Sequence, residues 1–131
     1  MHGGENVEVT GTVADVRPYY GDAAAAIVPL RVGGGTRLKI LEAMAAGVPV
    51  ISTTLGAEGL AVSPGKDILI ADREEEWRTH LELLAGDADR WNTISRAGRE
   101  LVHSRYDWEI LAKPLYDTYA EWLASRRKLA P

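Results

Sequence analysis

Apolar and polar residues alternate through residues 7–13, the mark of a strand covered on one face. Asp15 then stands where it can cap a short helix reaching Tyr20. Pro18 falls in its first turn, where a missing N–H does little harm. Three largely apolar runs follow, at residues 24–30, 48–53 and 68–71, and such runs suit parallel strands buried on both faces. Helical periodicity separates and follows them. Residues 38–46 place Leu38, Leu41, Met44 and Ala45 on one stripe, and Gly47 supplies a C-terminal stop. Residues 74–85 repeat Trp77, Leu81 and Leu84, and residues 90–103 repeat Trp91, Ile94, Leu101 and Val102. Strand then helix, repeated, predicts an α/β fold: a partial Rossmann-like open parallel sheet flanked by helices.

The last helix, capped by Asp107 and running over residues 107–128, carries Trp108, Leu111, Leu115, Tyr119 and Trp122 on one stripe. Pro114 lies inside it and predicts a bend, because the ring displaces a backbone hydrogen bond. The plain expectation is a terminal helix packed on its own sheet. The sharper one is that the bend carries it onto a domain outside this chain. Trp77, Trp91, Trp108 and Trp122 all recur on helix stripes and are expected in the core.

With 131 residues, 46% hydrophobic and 26% charged, the chain is long enough for one ordinary domain with its own core. A net charge of -4 gives no reason to expect nucleic acid as a partner. The absence of cysteine excludes disulfides and thiolate metal sites. The longest apolar stretch, residues 23–30, is far shorter than the roughly 20 residues that span a bilayer. Residues 1–6 have no leader-like pattern, so the expected location is cytoplasmic, with membrane association peripheral at most.

The chemistry concentrates where the first apolar run passes through Gly33, Gly34 and Gly35 into a helix. Ligands of open α/β sheets bind at this carboxyl end of the strands. Consecutive glycines let backbone N–H groups approach a ligand, and the helix start behind them, with Thr36 as predicted cap, offers open N–H groups and partial positive charge. Arg37 and Lys39 stand in the first turn beside Leu38. That is the wrong end for cations, costing about 0.3–1 kcal/mol each unless an anion compensates. A phosphate or diphosphate at Gly33, Gly34, Gly35, Thr36, Arg37, Leu38 and Lys39 reverses that sign. Glu42, three residues after Lys39, shares its helix face about 4–5 Å further along, within reach of a ribose diol. The ordinary alternative is a Lys39–Glu42 surface pair. The segment is neither a Walker loop nor a GxGxxG fingerprint.

The stretch Gly33-Gly34-Gly35-Thr36-Arg37-Leu38-Lys39-Ile40-Leu41-Glu42-Ala43-Met44-Ala45-Ala46-Gly47-Val48-Pro49-Val50-Ile51 closely resembles the signature of the retaining glycosyltransferases of family 4, glycosyl transferases group 1, whose fold is the two-domain GT-B. Weaker similarity covers most of the chain, including residues 9–13, residues 56–60 and the aromatic last helix. The resemblance implies the C-terminal, nucleotide-sugar-binding domain, spanning residues 1–131, with Glu42 as the glutamate that binds the donor ribose. The family's other motif glutamate, placed against the transferred sugar, falls at Gly34 here, so the loop offers only backbone at that point. The resemblance further implies that the acceptor, a sugar or a lipid-linked sugar, binds through an N-terminal domain this chain lacks, and that the chain alone transfers little or nothing. No metal or other cofactor is implied.

The remaining polar groups point nowhere else. His2, His80 and His103 lack ligand spacing. Ser52, Thr53 and Thr54 have no histidine to activate them and read as turn and rim residues. Glu58, between Gly56 and Gly59, fits a ligand contact or a plain loop role equally well. Residues 74–76 are acidic charge at a helix start, and residues 126–128 are a basic end too short to assign to lipid. The expected function is therefore donor binding for glycosyl transfer with retention. The rival is a non-catalytic nucleotide- or phosphate-binding module or partner subunit.

Overall fold

The computed structural model describes residues 6–127. Its elements are α1 (Arg17–Gly21), β1 (Ala26–Val28), α2 (Leu38–Ala45), β2 (Val50–Ser52), β3 (Leu69–Ile70), α3 (Glu74–Gly86), α4 (Ala88–Arg105) and α5 (Trp108–Arg127). The strands form one parallel sheet in the order β1-β2-β3, with Ile27 beside Ile51 and Ile51 beside Leu69. The predicted open parallel sheet flanked by helices is the architecture observed.

Adjacent residues of β2 explain why its apolar run is continuous. Val50 packs with Ile40, Ala43 and Met44 of α2, while Ile51 joins Leu69, Leu84 of α3 and Ile94 of α4. Successive side chains of a strand point to opposite faces, so both faces of β2 are covered. Gly47, at φ +79°, ends α2 as predicted. The helices α2 and α4 lie close because Gly98 has no side chain: a Cβ there would come within 3.2 Å of Met44 Cγ. Ser95 Oγ donates to the Gly47 carbonyl at 2.6 Å across the same junction.

The acidic start of α3 works as expected, through one carboxylate in particular. Glu76 accepts the Asp72 and Arg73 N–H groups at 2.8 and 3.0 Å. With the Arg73 guanidinium hydrogen-bonded to it, its carboxyl is lowered to about 2.

Several expectations are corrected. Residues 7–13 form no strand; Val7 and Val9 are exposed, and the sheet holds no neighbour for them among the described residues. Alternation supplies a face, but a strand also needs a partner for its backbone groups. Asp15 does not cap α1. Val16 is the N-cap, and Asp15 instead accepts from the Arg17 N–H at 3.0 Å and pairs with its guanidinium.

Asp107 does accept the Glu109 N–H at the start of α5. That helix continues unbroken through Pro114. It does not pack on the sheet: Leu111, Leu115, Tyr119 and Trp122 are exposed, and Trp108 is 82% exposed. Of the four tryptophans, only Trp77 and Trp91 pack against the core. The two flanks of the sheet are already taken by α2, α3 and α4. Residue 128, the end of the predicted last helix and of the basic cluster, lies outside the described residues.

Candidate functional site

The carboxyl ends of the three strands are bolted together by short polar side chains. Ser52 and Thr53 are buried, at the end of β2. Thr53 Oγ1 donates to the Leu30 carbonyl at 2.6 Å and accepts the Gly56 N–H at 2.9 Å. Thr54 gives its N–H and hydroxyl to the two oxygens of Asp72, beyond β3, at 2.8 and 2.6 Å. The expected turn residues are thus structural fasteners, and they hold the 53–59 turn beside the glycine loop.

That loop leads into α2 with no side chain capping the helix and no acidic residue in its first turn. Thr36 is not the cap. Arg37 holds the N-cap position, at φ -83° and ψ 44°, and the helix begins one residue later than the predicted cap requires. The Ile40 N–H goes to the Arg37 carbonyl at 3.0 Å, which leaves the Leu38 and Lys39 N–H groups of the first turn without a capping side chain.

Gly33 and Gly35 have φ of +124° and +98°, conformations that side-chain-bearing residues rarely adopt. Gly34 differs: its φ is ordinary, and a Cβ there meets nothing within 4 Å. Alanine at Gly33 or Gly35 is therefore expected to cost about 1–2 kcal/mol. Glutamate at Gly34 is expected to leave the melting temperature within a few degrees. Comparing the three melting curves checks this; a Gly34→Glu protein as destabilised as the other two would contradict it.

The two first-turn cations behave differently. Lys39 is exposed and makes no ion pair among the described residues, and it lines a hollow of about 520 Å³ with Leu30, Gly34 and Thr36. The Lys39–Glu42 surface pair is not formed. Arg37 turns inward. Its side chain is 9% exposed, Nη2 donates to the Leu55 carbonyl at 2.9 Å, and Nη2 lies 3.6 Å from Glu58 Oε2. Its Nε is buried with no hydrogen-bond partner. Arg37 therefore ties the start of α2 to the 53–59 turn rather than facing the open loop.

Glu42 is exposed on α2 and lines a second hollow, of about 850 Å³, with Gly35, Thr36, Arg37, Leu38 and Glu58. Tyr20 of α1 lies close enough to Glu42 for the two groups to interact electrostatically. Tyr20 packs on the cluster of Ile40, Ala43 and Met44, and burial first, then Glu42, pushes its phenol above the usual range. Among the described residues no three histidine, aspartate or glutamate side chains gather into a metal-binding group. No helix among them is long and apolar enough to cross a membrane.

The sequence pattern of the family described as glycosyl transferases group 1 matches residues 1–87, about two thirds of the chain. The chain belongs to that family. Among curated relatives of this group, a D-inositol 3-phosphate glycosyltransferase of Corynebacterium urealyticum is 38% identical over 85 residues, which are 63% of this chain and 20% of that protein. A GDP-mannose-dependent alpha-(1-6)-phosphatidylinositol monomannoside mannosyltransferase of Mycobacterium tuberculosis is 34% identical over 124 residues, 86% of this chain and 32% of that protein. The chain thus spans between a fifth and a third of the length of these relatives. No solved structure matches it.

Membership of the glycosyl transferases group 1 makes the missed residues instructive. Tyr20 was readable only as a helix residue, because nothing local says that it comes near Glu42. Leu55 contributes through its carbonyl, which no side-chain pattern reveals. Asp72 did carry a signal: it is an acidic residue immediately after the third apolar run.

Proposed function

We propose that this chain is the nucleotide-sugar-binding part of a GT-B glycosyltransferase, holding a nucleotide-diphosphate sugar while its glycosyl group is transferred with retention. The observation that carries this reading is the uncapped start of α2. It lies at the carboxyl ends of three parallel strands, behind the glycine loop, with unpaired Lys39 in its first turn. Open N–H groups, a helix dipole and a cation converge there without any protein anion in the first turn.

The Gly33, Gly34, Gly35 and Thr36 backbone, with Leu38 and Lys39, receives the diphosphate. Charge developing on the departing diphosphate is met by groups already in place, which is where such a site lowers a barrier. Arg37 acts from the second rank, holding the turn that borders the hollow. Glu42 accepts the ribose hydroxyls and orients the donor. The acceptor, a sugar or lipid-linked sugar, is bound by a further N-terminal domain. The protein works in the cytoplasm, peripheral to the membrane at most, with no metal or organic cofactor. The relatives' names make GDP-mannose the first donor to try.

Calorimetry of the chain with GDP, UDP and inorganic pyrophosphate tests the reading. Binding with matching thermal protection is expected, and EDTA is expected to leave the affinities unchanged. A folded sample that gives no heat and no protection with any of the three removes it. Binding without sugar transfer even when the acceptor domain is supplied favours a non-catalytic module.

A further inference from the structure

The hollow beside α2 holds a second carboxylate that the reading above leaves unused. Glu58 lines the same space of about 850 Å³ as Glu42, together with Gly35, Thr36, Arg37 and Leu38 at the mouth of the helix. A diphosphate seated on that mouth shares the hollow with both carboxylates. One of them, Glu42, takes the ribose. The other, Glu58, is free for a different part of the donor.

We propose that Glu58 accepts hydrogen bonds from the hydroxyls of the donor's glycosyl group and so reads the sugar. This rests on the donor-binding reading of the α2 mouth. A sugar presents several hydroxyl donors, and an ionised carboxylate accepts through two oxygens with about four lone-pair sites. Glu58 is 70% exposed, so most of that capacity is open to the hollow.

Its placement is nonetheless controlled. Arg37 Nη2 lies 3.6 Å from Glu58 Oε2, and Arg37 is itself buried and held by the Leu55 carbonyl at 2.9 Å. The turn beneath is fixed by the Gly56 N–H bond to Thr53 Oγ1. Charge is the second consideration. A lone carboxylate beside a diphosphate is repelled by it, and Arg37 stands at the junction to offset that repulsion. The Arg37 Nε, buried without a partner, leaves the guanidinium with an unused donor that a carboxylate drawn further inward satisfies. Finally, the glycine loop cannot do the same task, since Gly34 presents no side chain and sits exposed.

The ordinary alternative is an exposed ion pair of small worth. Titrating wild-type and Glu58→Gln chains with GDP and GDP-mannose, then with UDP and UDP-glucose, separates the two. The expected result is a roughly tenfold loss of affinity for the nucleotide sugar that the wild type prefers, with the matching nucleoside diphosphate changed less than about twofold. Melting curves should coincide, because the side chain is exposed. Equal changes for both members of a pair, no change in either, or a wild type that gains nothing from the sugar overturns the role of Glu58 while leaving the donor site standing. A wild type that binds none of the four removes the donor site and this role together.

Discussion

Alanine at Gly56 is expected to lower the stability of the fold by about 1–3 kcal/mol, the range for forcing atoms into a filled interior. A Cβ at that position runs into Ser52 Oγ and comes within 3.0 Å of Thr53 Oγ1 and 3.1 Å of the Val28 carbonyl. None of these can retreat easily. Ser52 is fully buried, Thr53 Oγ1 is committed to the Leu30 carbonyl, and the Val28 carbonyl accepts the Thr53 N–H at 3.3 Å. Relief must come from the turn itself, which displaces Leu55 and with it the anchor of Arg37. The fold and the rim of the hollow should therefore loosen together. Urea unfolding gives the first quantity, and a fall in melting temperature of about 3–4 °C per kcal/mol is the corresponding signal. An unchanged midpoint would mean that the turn has room which the distances deny.

Glu42→Ala is expected to do the opposite: to spare the fold and damage the site. The side chain is exposed, and alanine suits a helix interior, so stability should stay within about 0.5 kcal/mol of wild type. Loss of the carboxylate proposed to accept the ribose hydroxyls should weaken nucleoside diphosphate binding by roughly tenfold to a hundredfold. Inorganic pyrophosphate, which has no ribose, should bind both proteins alike. Calorimetry with GDP and pyrophosphate, run beside melting curves, measures all three quantities. If Glu42→Ala loses stability and affinity in equal measure, the carboxylate is a structural group and the ribose role falls.

The contrast between these two residues marks how far local pattern reaches. Glu42 stood out because its type, helix position and neighbours could be counted along the chain. Gly56 did not, because its importance lies in three atoms contributed by residues 28, 52 and 53. Arg37 falls between the two. Its place at the start of α2 was legible, but its direction was not. The inward turn depends on a carbonyl at Leu55 and a carboxylate at Glu58, 18 and 21 residues away along the chain. Thr36 shows the same limit at shorter range: a residue suited to capping was displaced when the backbone of Arg37 took the N-cap position.

Periodicity was a sound guide in β2 and α4, but in α2 the core takes Ile40, Ala43 and Met44, while Leu38 and Ala45 of the expected stripe are exposed. It misled where apolar pattern and burial parted company. Residues 7–13 alternate correctly yet have no strand beside them among the described residues, and the stripe of α5 is exposed although it is as regular as that of α4. A repeat of apolar side chains states which surface wants cover. It does not say what covers it.

By itself, then, the order of residues determined the alternation of helices and strands, the glycine loop opening into α2, and the family signature that carries Glu42. These follow from spacing within about twenty residues, where backbone geometry alone decides which groups share a face. Only the tertiary structure decided that Arg37 is a strut, that Tyr20 lies near Glu42, that Glu58 shares a hollow with Glu42, and that α5 leaves its apolar face uncovered. Each of those depends on which distant atoms fill the space around a side chain, and packing is a property of the whole assembled chain rather than of any segment.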